Sequence, residues 1–407
     1  MKTAAVIAEL NPCHAGHAYF LQEVRRRSGA DCVIAVMSGD FVQRGEPAIF
    51  DKYVRTDMAL RCGADLVLEL PAASACSSAQ RFAEGAAAIL CRLGVVDELW
   101  FGSETGAIGP FLEISEAMLQ ESPLFRSSLK EALAEGLSFP AAREQALTRT
   151  FSALSVHRQQ DNTLPLSQPN DILGLEYCLA LQKAGSSIQP RTLQRTGSPY
   201  NSRQLPDSGF ASATAIRGQI LGGCSPVSFA GALPEQLLPL YEQALRVSAP
   251  VCADDFSSML LYQLRRETSE SLCRYLDLPE DLANRISHTI DNFTSFSDFA
   301  QQLKTKNRTL TQIRRALLHV LLGITPEDLE HALHPEYTRV LGFSAAGSAL
   351  LSPIKERGQI TLVTKASALS SFSSERDVFA SRLYESVRSV KTGVPAMDEF
   401  RRAVITR

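Results

Sequence analysis

The chain is expected to be an α/β protein built on a doubly wound parallel sheet and followed by a mainly helical C-terminal region. Three observations carry this expectation. Short apolar runs recur in the first half, AAVIA at 4–8, DCVIAVM at 31–37 and ADLVLEL at 64–70, and read as strands buried on both faces. Segments of helical apolar spacing stand between them, so strand, helix and strand alternate at βαβ lengths. Beyond Gly222 the pattern changes to short helices separated by proline turns.

Composition sets the class. A chain of 407 residues with 45% hydrophobic and 21% charged residues is long enough for more than one core. A formal net charge of −3 excludes a generally basic nucleic-acid coat, though not a local basic patch. The nine cysteines are scattered without a C-x-x-C pair, which suits a reducing compartment, so a cytoplasmic location is expected. The apolar run after Lys2 stops at Glu9, too short for a signal sequence, and nothing later approaches a membrane span.

The first strand, Ala4 to Ala8, is stopped by Asn11-Pro12, since proline cannot continue a ladder. Gly16 allows a close backbone approach, and His17, Phe20, Leu21 and Val24 have helical spacing. A helix N-terminus with unpaired N–H groups and a positive dipole end is an anion site. His14 and His17, three apart, can face the same way there and add donors suited to a phosphate. An ordinary capped helix start is the competing reading. A metal site is disfavoured, because no Cys, His or carboxylate cluster of ligand spacing accompanies the pair.

Ser28-Gly29-Ala30 ends this helix and the second strand follows. The loop from Ser38 to Phe50 places Asp40, Gln43, Arg44 and Glu46 at that strand's carboxyl end, where open α/β sheets bind ligands. Asp51 caps a helix that stops at Gly63, the third strand ends at Pro71, and Ser77 to Leu93 is an alanine-rich helix before a fourth strand from Glu98 that runs into Gly102-Ser103-Glu104. From Phe111 to Ala184 the reading is mostly helical, with a polar break at 157–161. Asn170-Asp171 restarts a helix, and the Asn170 amide could hydrogen-bond a purine or ribose. Ser187 to Arg195 is a fifth strand and 196–208 a loop. Ala211 to Arg217 then opens another helix, with Ser212 and Thr214 in its first turn as a second phosphate cradle.

A domain boundary is placed near Gly222, giving units at 1–222 and 223–407. In the second, Lys304, Lys306, Arg308, Arg314 and Arg315 form the most basic run of the chain. It reads either as a solvated helix face or as an RNA-backbone contact surface. After Pro335 a short strand and helix near Arg339 to Leu351, a strand at Ile360 to Val363 and a helical end are expected.

The strand, turn and helix around His14-Ala15-Gly16-His17 is the context required of the H-x-G-H signature of the nucleotidyltransferase superfamily. The wider chain resembles the bacterial tRNA(Met) cytidine acetate ligases through AVIAELNPCHAGHAYFL, SGDFVQRGEPAIFDKYVR, GADLVLELP, FGSE, NDILGLEY and SATAIR, all in order, and more loosely through KTK, RALLHVLLGI and RVLGF. The resemblance implies a HIGH-type, Rossmann-like catalytic unit over 1–222 and a helical, tRNA-binding unit over 223–407. It implies activation of acetate with ATP to acetyl-adenylate and acetylation of the wobble cytidine of elongator methionine tRNA to N4-acetylcytidine. Carried over by position, Val6, Ile7, Ala8, Glu9, Leu10, Asn11, Pro12, Cys13, His14, Ala15, Gly16, His17, Ala18 and Tyr19 wrap ATP, with Gly102, Asn170 and Arg195 as further contacts. Ser212, Thr214 and Arg217 are added as phosphate contacts. The chain departs from the family pattern at Cys13 and Ala15, at Tyr200-Asn201-Ser202 and around Asn307 and Arg308.

The implied chemistry needs no protein nucleophile. Attack of a carboxylate on the α-phosphate spreads charge over phosphoryl oxygens, so catalysis is positioning and electrostatic stabilisation. His17 is expected to donate to the α-phosphate and His14 to hold the phosphate chain, with Mg²⁺ accompanying ATP and no protein metal site. Asp40 is the candidate for orienting or deprotonating the cytidine amine. The basic run, as an RNA contact, separates this reading from a small-molecule adenylyltransferase that releases pyrophosphate.

Overall fold

Alternation along the strands explains the layering. In β1 (Thr3–Ala8) Ala5 faces one apolar cluster, while Ala4 and Val6 face another on the opposite side of the sheet. The same split divides Ile34 from Val33 and Ala35 in β2 (Cys32–Ser38), and Leu66 and Leu68 from Val67 in β5 (Leu66–Leu70). A period of two with both faces apolar requires cover on both sides, and helices supply it. The computed structural model describes residues 1–120, 122–137, 139–154, 168–195, 205, 209–371 and 375–407. The expected polar break at 157–161 and most of the loop at 196–208, with Tyr200, Asn201 and Ser202, lie outside the described residues.

The expected parallel sheet is present. Its strands β5, β2, β1, β6 (Glu98–Ser103) and β7 (Gln189–Gln194) lie side by side in that order, all parallel. The chain builds outward from β1 through β2 to β5, then crosses to the other side of β1 for β6. The carboxyl ends of β1 and β6 therefore flank the point where winding reverses, which is where a crevice opens in such sheets. Helix α1 (Ala15–Ser28) leaves β1 at this crevice, and α2 (Lys52–Arg61) follows the loop after β2.

Two features depart from the sequence reading. The loop after β2 contains a small antiparallel hairpin, β3 (Phe41–Val42) against β4 (Glu46–Pro47), turning at Gly45 with φ of 74°. A Cβ there would lie 2.5 Å from the backbone nitrogen of Arg315, so the hairpin tip is pressed against the Leu310–Leu322 helix and only glycine fits.

The second departure is larger. The region after Gly222 does not stand apart as a helical unit. Strand β8 (Tyr337–Phe343) pairs antiparallel with β5, β9 (Thr361–Val363) and β10 (Ile405–Thr406) pair with β8, and the sheet so acquires its far edge from the end of the chain. The intervening helices share a core with the sheet: Leu260, Leu264, Leu317 and Leu321 belong to the same apolar cluster as Leu66 and Phe82. His319, fully buried, links Leu276 O (2.8 Å) to Cys76 O (3.0 Å) across that packing. Short apolar runs after Pro335 showed strands, but which sheet they would join depends on non-local pairing.

Candidate active site

The turn after β1 is held from four directions. Asn11 Oδ1 accepts the N–H of Ile49 at 2.8 Å, and Arg217 donates to Asn11 O at 2.7 Å. Tyr241 donates to Cys13 O, and the fully buried Arg55 donates to Glu9 O at 2.7 Å. The same guanidinium reaches Phe50 O (3.0 Å), Ser38 O (3.1 Å) and Gly39 O, so one side chain from α2 ties the carboxyl ends of β1 and β2 together.

The two histidines form a reciprocal cap on α1. His14 Nδ1 accepts the N–H of Gly16 at 3.1 Å, and His17 Nδ1 accepts the N–H of His14 at 3.3 Å. Their rings lie 3.9 Å apart between centroids at 38°. A backbone N–H can only donate, so each Nδ1 carries a lone pair, and in a neutral imidazole the proton then sits on Nε2. Both rings are held neutral. Burial depresses His14 well below the usual imidazole range, helped by His17, Arg195 and Arg217, and burial with Arg195 lowers His17 to about 3. The first turn of α1 thus presents two neutral N–H donors together with the helix dipole, a combination suited to phosphoryl oxygens. Gly16 is needed for the cap itself, since a Cβ would stand 2.9 Å from His14 Cε1.

These groups open into a cavity at the β1/β6 switch point. Of the expected N-terminal contacts, Ile7, Ala8, Glu9, Leu10, Asn11, His14, Gly16, His17 and Tyr19 line it. Val6, Pro12, Cys13, Ala15 and Ala18 do not. Val6, Cys13 and Ala18 are packed in the core beneath, with Cys13 Sγ 3.7 Å from Cys62 Sγ. Gly102, at the end of β6, Asn170, in the Pro169–Lys183 helix, and Arg195, just after β7, line the same cavity. Asn170 donates through its amide nitrogen to Glu104 at 2.6 Å, which leaves the amide oxygen as the acceptor end. Thr214 and Arg217 also line it, from the Ala213–Leu221 helix, whereas Ser212 caps that helix by accepting from Ala215 N at 3.0 Å and is not in the wall.

Asp40 is placed away from the cavity. It is buried, its Oδ1 accepting from Lys52 N (2.8 Å) and its Oδ2 from Ser381 Oγ (2.6 Å), so it fastens the start of α2 to the Glu375–Thr392 helix. The basic run is divided by the fold. Lys304 and Lys306 are exposed, Arg308 chelates Asp281 at 2.7 Å, and the buried Arg315 lies 3.8 Å from Asp277. Arg314 reaches Glu46 at 3.6 Å, and Glu46 also lies 3.6 Å from Arg217.

Several wall residues carried no sequence signal of their own. Phe82, Tyr177, Leu193 and Phe210 read as core or loop, and only the closed sheet brings them to one mouth. Arg55 reads as one more polar position in a helix. Its helix, KYVRTDMALR, is buried on most sides, which only the structure shows.

Comparison with known proteins agrees with this geometry. Residues 1–395 match the HIGH Nucleotidyl Transferase family. A tRNA(Met) cytidine acetate ligase of Acetivibrio thermocellus is 40% identical over 375 residues, covering 90% of this chain and 89% of its own. One from Caldanaerobacter subterraneus subsp. tengcongensis is 39% identical over 391 residues, covering 94% and 95%. The crystal structure of Thermotoga maritima TmcAL bound with alpha-thio ATP superposes with a TM-score of 0.91 at 32% identity, over 100% of this chain and 99% of that one, and the apo form with a TM-score of 0.93.

Proposed function

The chain belongs to the tRNA(Met) cytidine acetate ligase family, and from that premise we propose that its switch-point cavity joins acetate to AMP and passes the acetyl group to the wobble cytidine of elongator methionine tRNA. The observation that carries the reading is the neutral, reciprocally capped histidine pair at the N-terminus of α1, facing Arg195 and Arg217 across one cavity.

The first step follows from that arrangement. An acetate oxygen attacks the α-phosphorus of ATP, a new O–P bond forms, and the bond to the β-phosphate oxygen breaks with pyrophosphate leaving. Negative charge grows on the α-phosphoryl oxygens, where the His17 Nε2–H donates, while His14 and the arginines hold the polyphosphate. Holding both reactants in one cavity supplies on the order of 7–11 kcal/mol of the barrier reduction by orientation alone. Mg²⁺ accompanying ATP would offset charge on the polyphosphate. Among the described residues no group of three or more His, Cys, Asp or Glu side chains could hold a metal ion, and Glu46 at the cavity wall already faces two arginines, so no step is assigned to a protein-bound metal.

Exposed Lys304 and Lys306 are the part of the basic run available to an RNA backbone. Among the described residues no helix is long and apolar enough to cross a membrane. The test is incubation of the protein with ATP, acetate and tRNA, followed by mass spectrometry of the nucleosides. N4-acetylcytidine requiring all three reactants is the expected result. Its absence, with pyrophosphate still released in the presence of some other small acceptor, would overturn the reading in favour of a small-molecule adenylyltransferase.

A further inference from the structure

We propose that the Glu9 carboxylate takes the proton that the cytidine N4 amine loses as it is acetylated. This rests on the functional reading above and extends it to the second half-reaction. In that step the amine nitrogen attacks the carbonyl carbon of acetyl-adenylate and a C–N bond forms. One N4 proton must leave, and the C–O bond to AMP breaks with its electron pair going to the phosphate oxygen. An amine that is barely basic sheds this proton only as the tetrahedral intermediate forms, so a base must stand at the reacting centre.

Among the described residues the cavity wall contains two carboxylates, Glu9 and Glu46. Glu46 lies 3.6 Å from both Arg217 and Arg314, so its carboxylate is already engaged by two guanidinium groups. Asp40, the carboxylate the sequence suggested, has both oxygens committed to Lys52 N and Ser381 Oγ and does not reach the wall. Glu9, unlike Asp40, reaches the cavity wall. It follows β1 directly, at the start of the turn that leads to His14 and His17, and lines the same cavity as they do. Its Oε1 accepts the N–H of Gln43 at 2.7 Å, which fixes the carboxylate against the hairpin.

The surroundings of Glu9 shift its proton affinity upward. Burial raises its affinity for a proton above that of an ordinary carboxylate, against the lowering influence of the Gln43 N–H, Arg217 and Arg44, with Glu46 adding to the rise. Arg55 from α2 and the Cys76 thiol also face it. The sign is definite: a base acts when deprotonated, so acetyl transfer should rise with pH through a limb lying above the usual carboxylate range.

The experiment separates the two half-reactions. ATP–pyrophosphate exchange with acetate reads adenylate formation, and single-turnover mixing with tRNA reads transfer. In Glu9→Gln the amide oxygen can still accept from Gln43 N–H, so the hairpin keeps its anchor. Loss of a general base costs about 10²–10⁴-fold; because Glu9 also lines the ATP cavity, exchange can fall as well, but transfer should fall by at least about 100-fold and at least about tenfold more than exchange, and the acid limb of the transfer profile should vanish. Glu9→Asp, which keeps a carboxylate, should transfer faster than Glu9→Gln and retain the limb. Transfer at the wild-type rate in Glu9→Gln, an equal fall in both half-reactions, or a limb absent from Glu9→Asp would each overturn the assignment. A wild-type protein that forms no N4-acetylcytidine would instead count against the function itself.

Discussion

His14 and His17 each have two jobs, and the two ring nitrogens divide them. Nδ1 closes a backbone cap and Nε2 remains for the ligand. A substitution can therefore separate fold from chemistry. In His17→Asn the side-chain oxygen can still accept from His14 N, so we expect stability within about 1 kcal/mol of the wild type, the worth of a cap bond, but acetyl-adenylate formation reduced by about 10²–10³-fold, as for loss of an oxyanion donor. ATP–pyrophosphate exchange and thermal unfolding measured on the same preparation check both parts. The depressed affinities of both imidazoles also link stability to pH. Each ring binds a proton more weakly in the folded chain, so the unfolded chain takes up more protons as pH falls below the ordinary imidazole value, and stability present at neutral pH is lost on acidification. For His17 the window extends from 6.5 down to about 3. Its slope is at most about 1.4 kcal/mol per pH unit. Denaturant unfolding at pH 7 and pH 5 should show a smaller acid loss in His17→Asn than in the wild type.

At the scale of elements, the turn after β1 is positioned by segments distant in sequence: Ile49 from the loop after β2, Arg55 from α2, Arg217 from the Ala213–Leu221 helix and Tyr241 from the Leu238–Val247 helix. Arg55 matters most because four carbonyls converge on it, three at the ends of β1 and β2 and one, Phe50 O, in the loop before α2. Arg55→Met keeps much of the volume and leaves those buried acceptors unsatisfied, at about 1–3 kcal/mol each before relaxation. We expect destabilisation of at least about 3 kcal/mol and loss of nucleotide binding, read by denaturant unfolding and by ATP titration. The strands, α1 and the histidine pair were legible because their signals are local: period-two apolar runs, a proline stop and a glycine where a Cβ would strike His14. Arg55 was not legible, because an arginine inside a helical segment has the same local signature whether it faces water or four carbonyls.

At the scale of the whole molecule, the run from Lys304 to Arg315 shows how tertiary contacts redistribute charge. Arg308, Arg314 and Arg315 face Asp281, Glu46 and Asp277, so only the two lysines remain exposed. Replacing both Lys304 and Lys306 with alanine should weaken tRNA binding and lower the magnitude of its salt slope by roughly one to two, with ATP–pyrophosphate exchange unchanged. Filter binding across a salt series measures this, and an unaltered slope would make these lysines solvated surface only. Taken alone, the sequence determined the parallel sheet, its order of strand and helix, and the turn that carries His14 and His17 into α1, since each follows from contacts within a few residues. The tertiary structure decided that the chain end returns as β8 to extend the sheet and that Arg55 clamps the turn. It also removed Asp40 from the cavity wall and left Glu9 on it. Those outcomes depend on which distant groups share a buried space, and no local pattern of residue types encodes that.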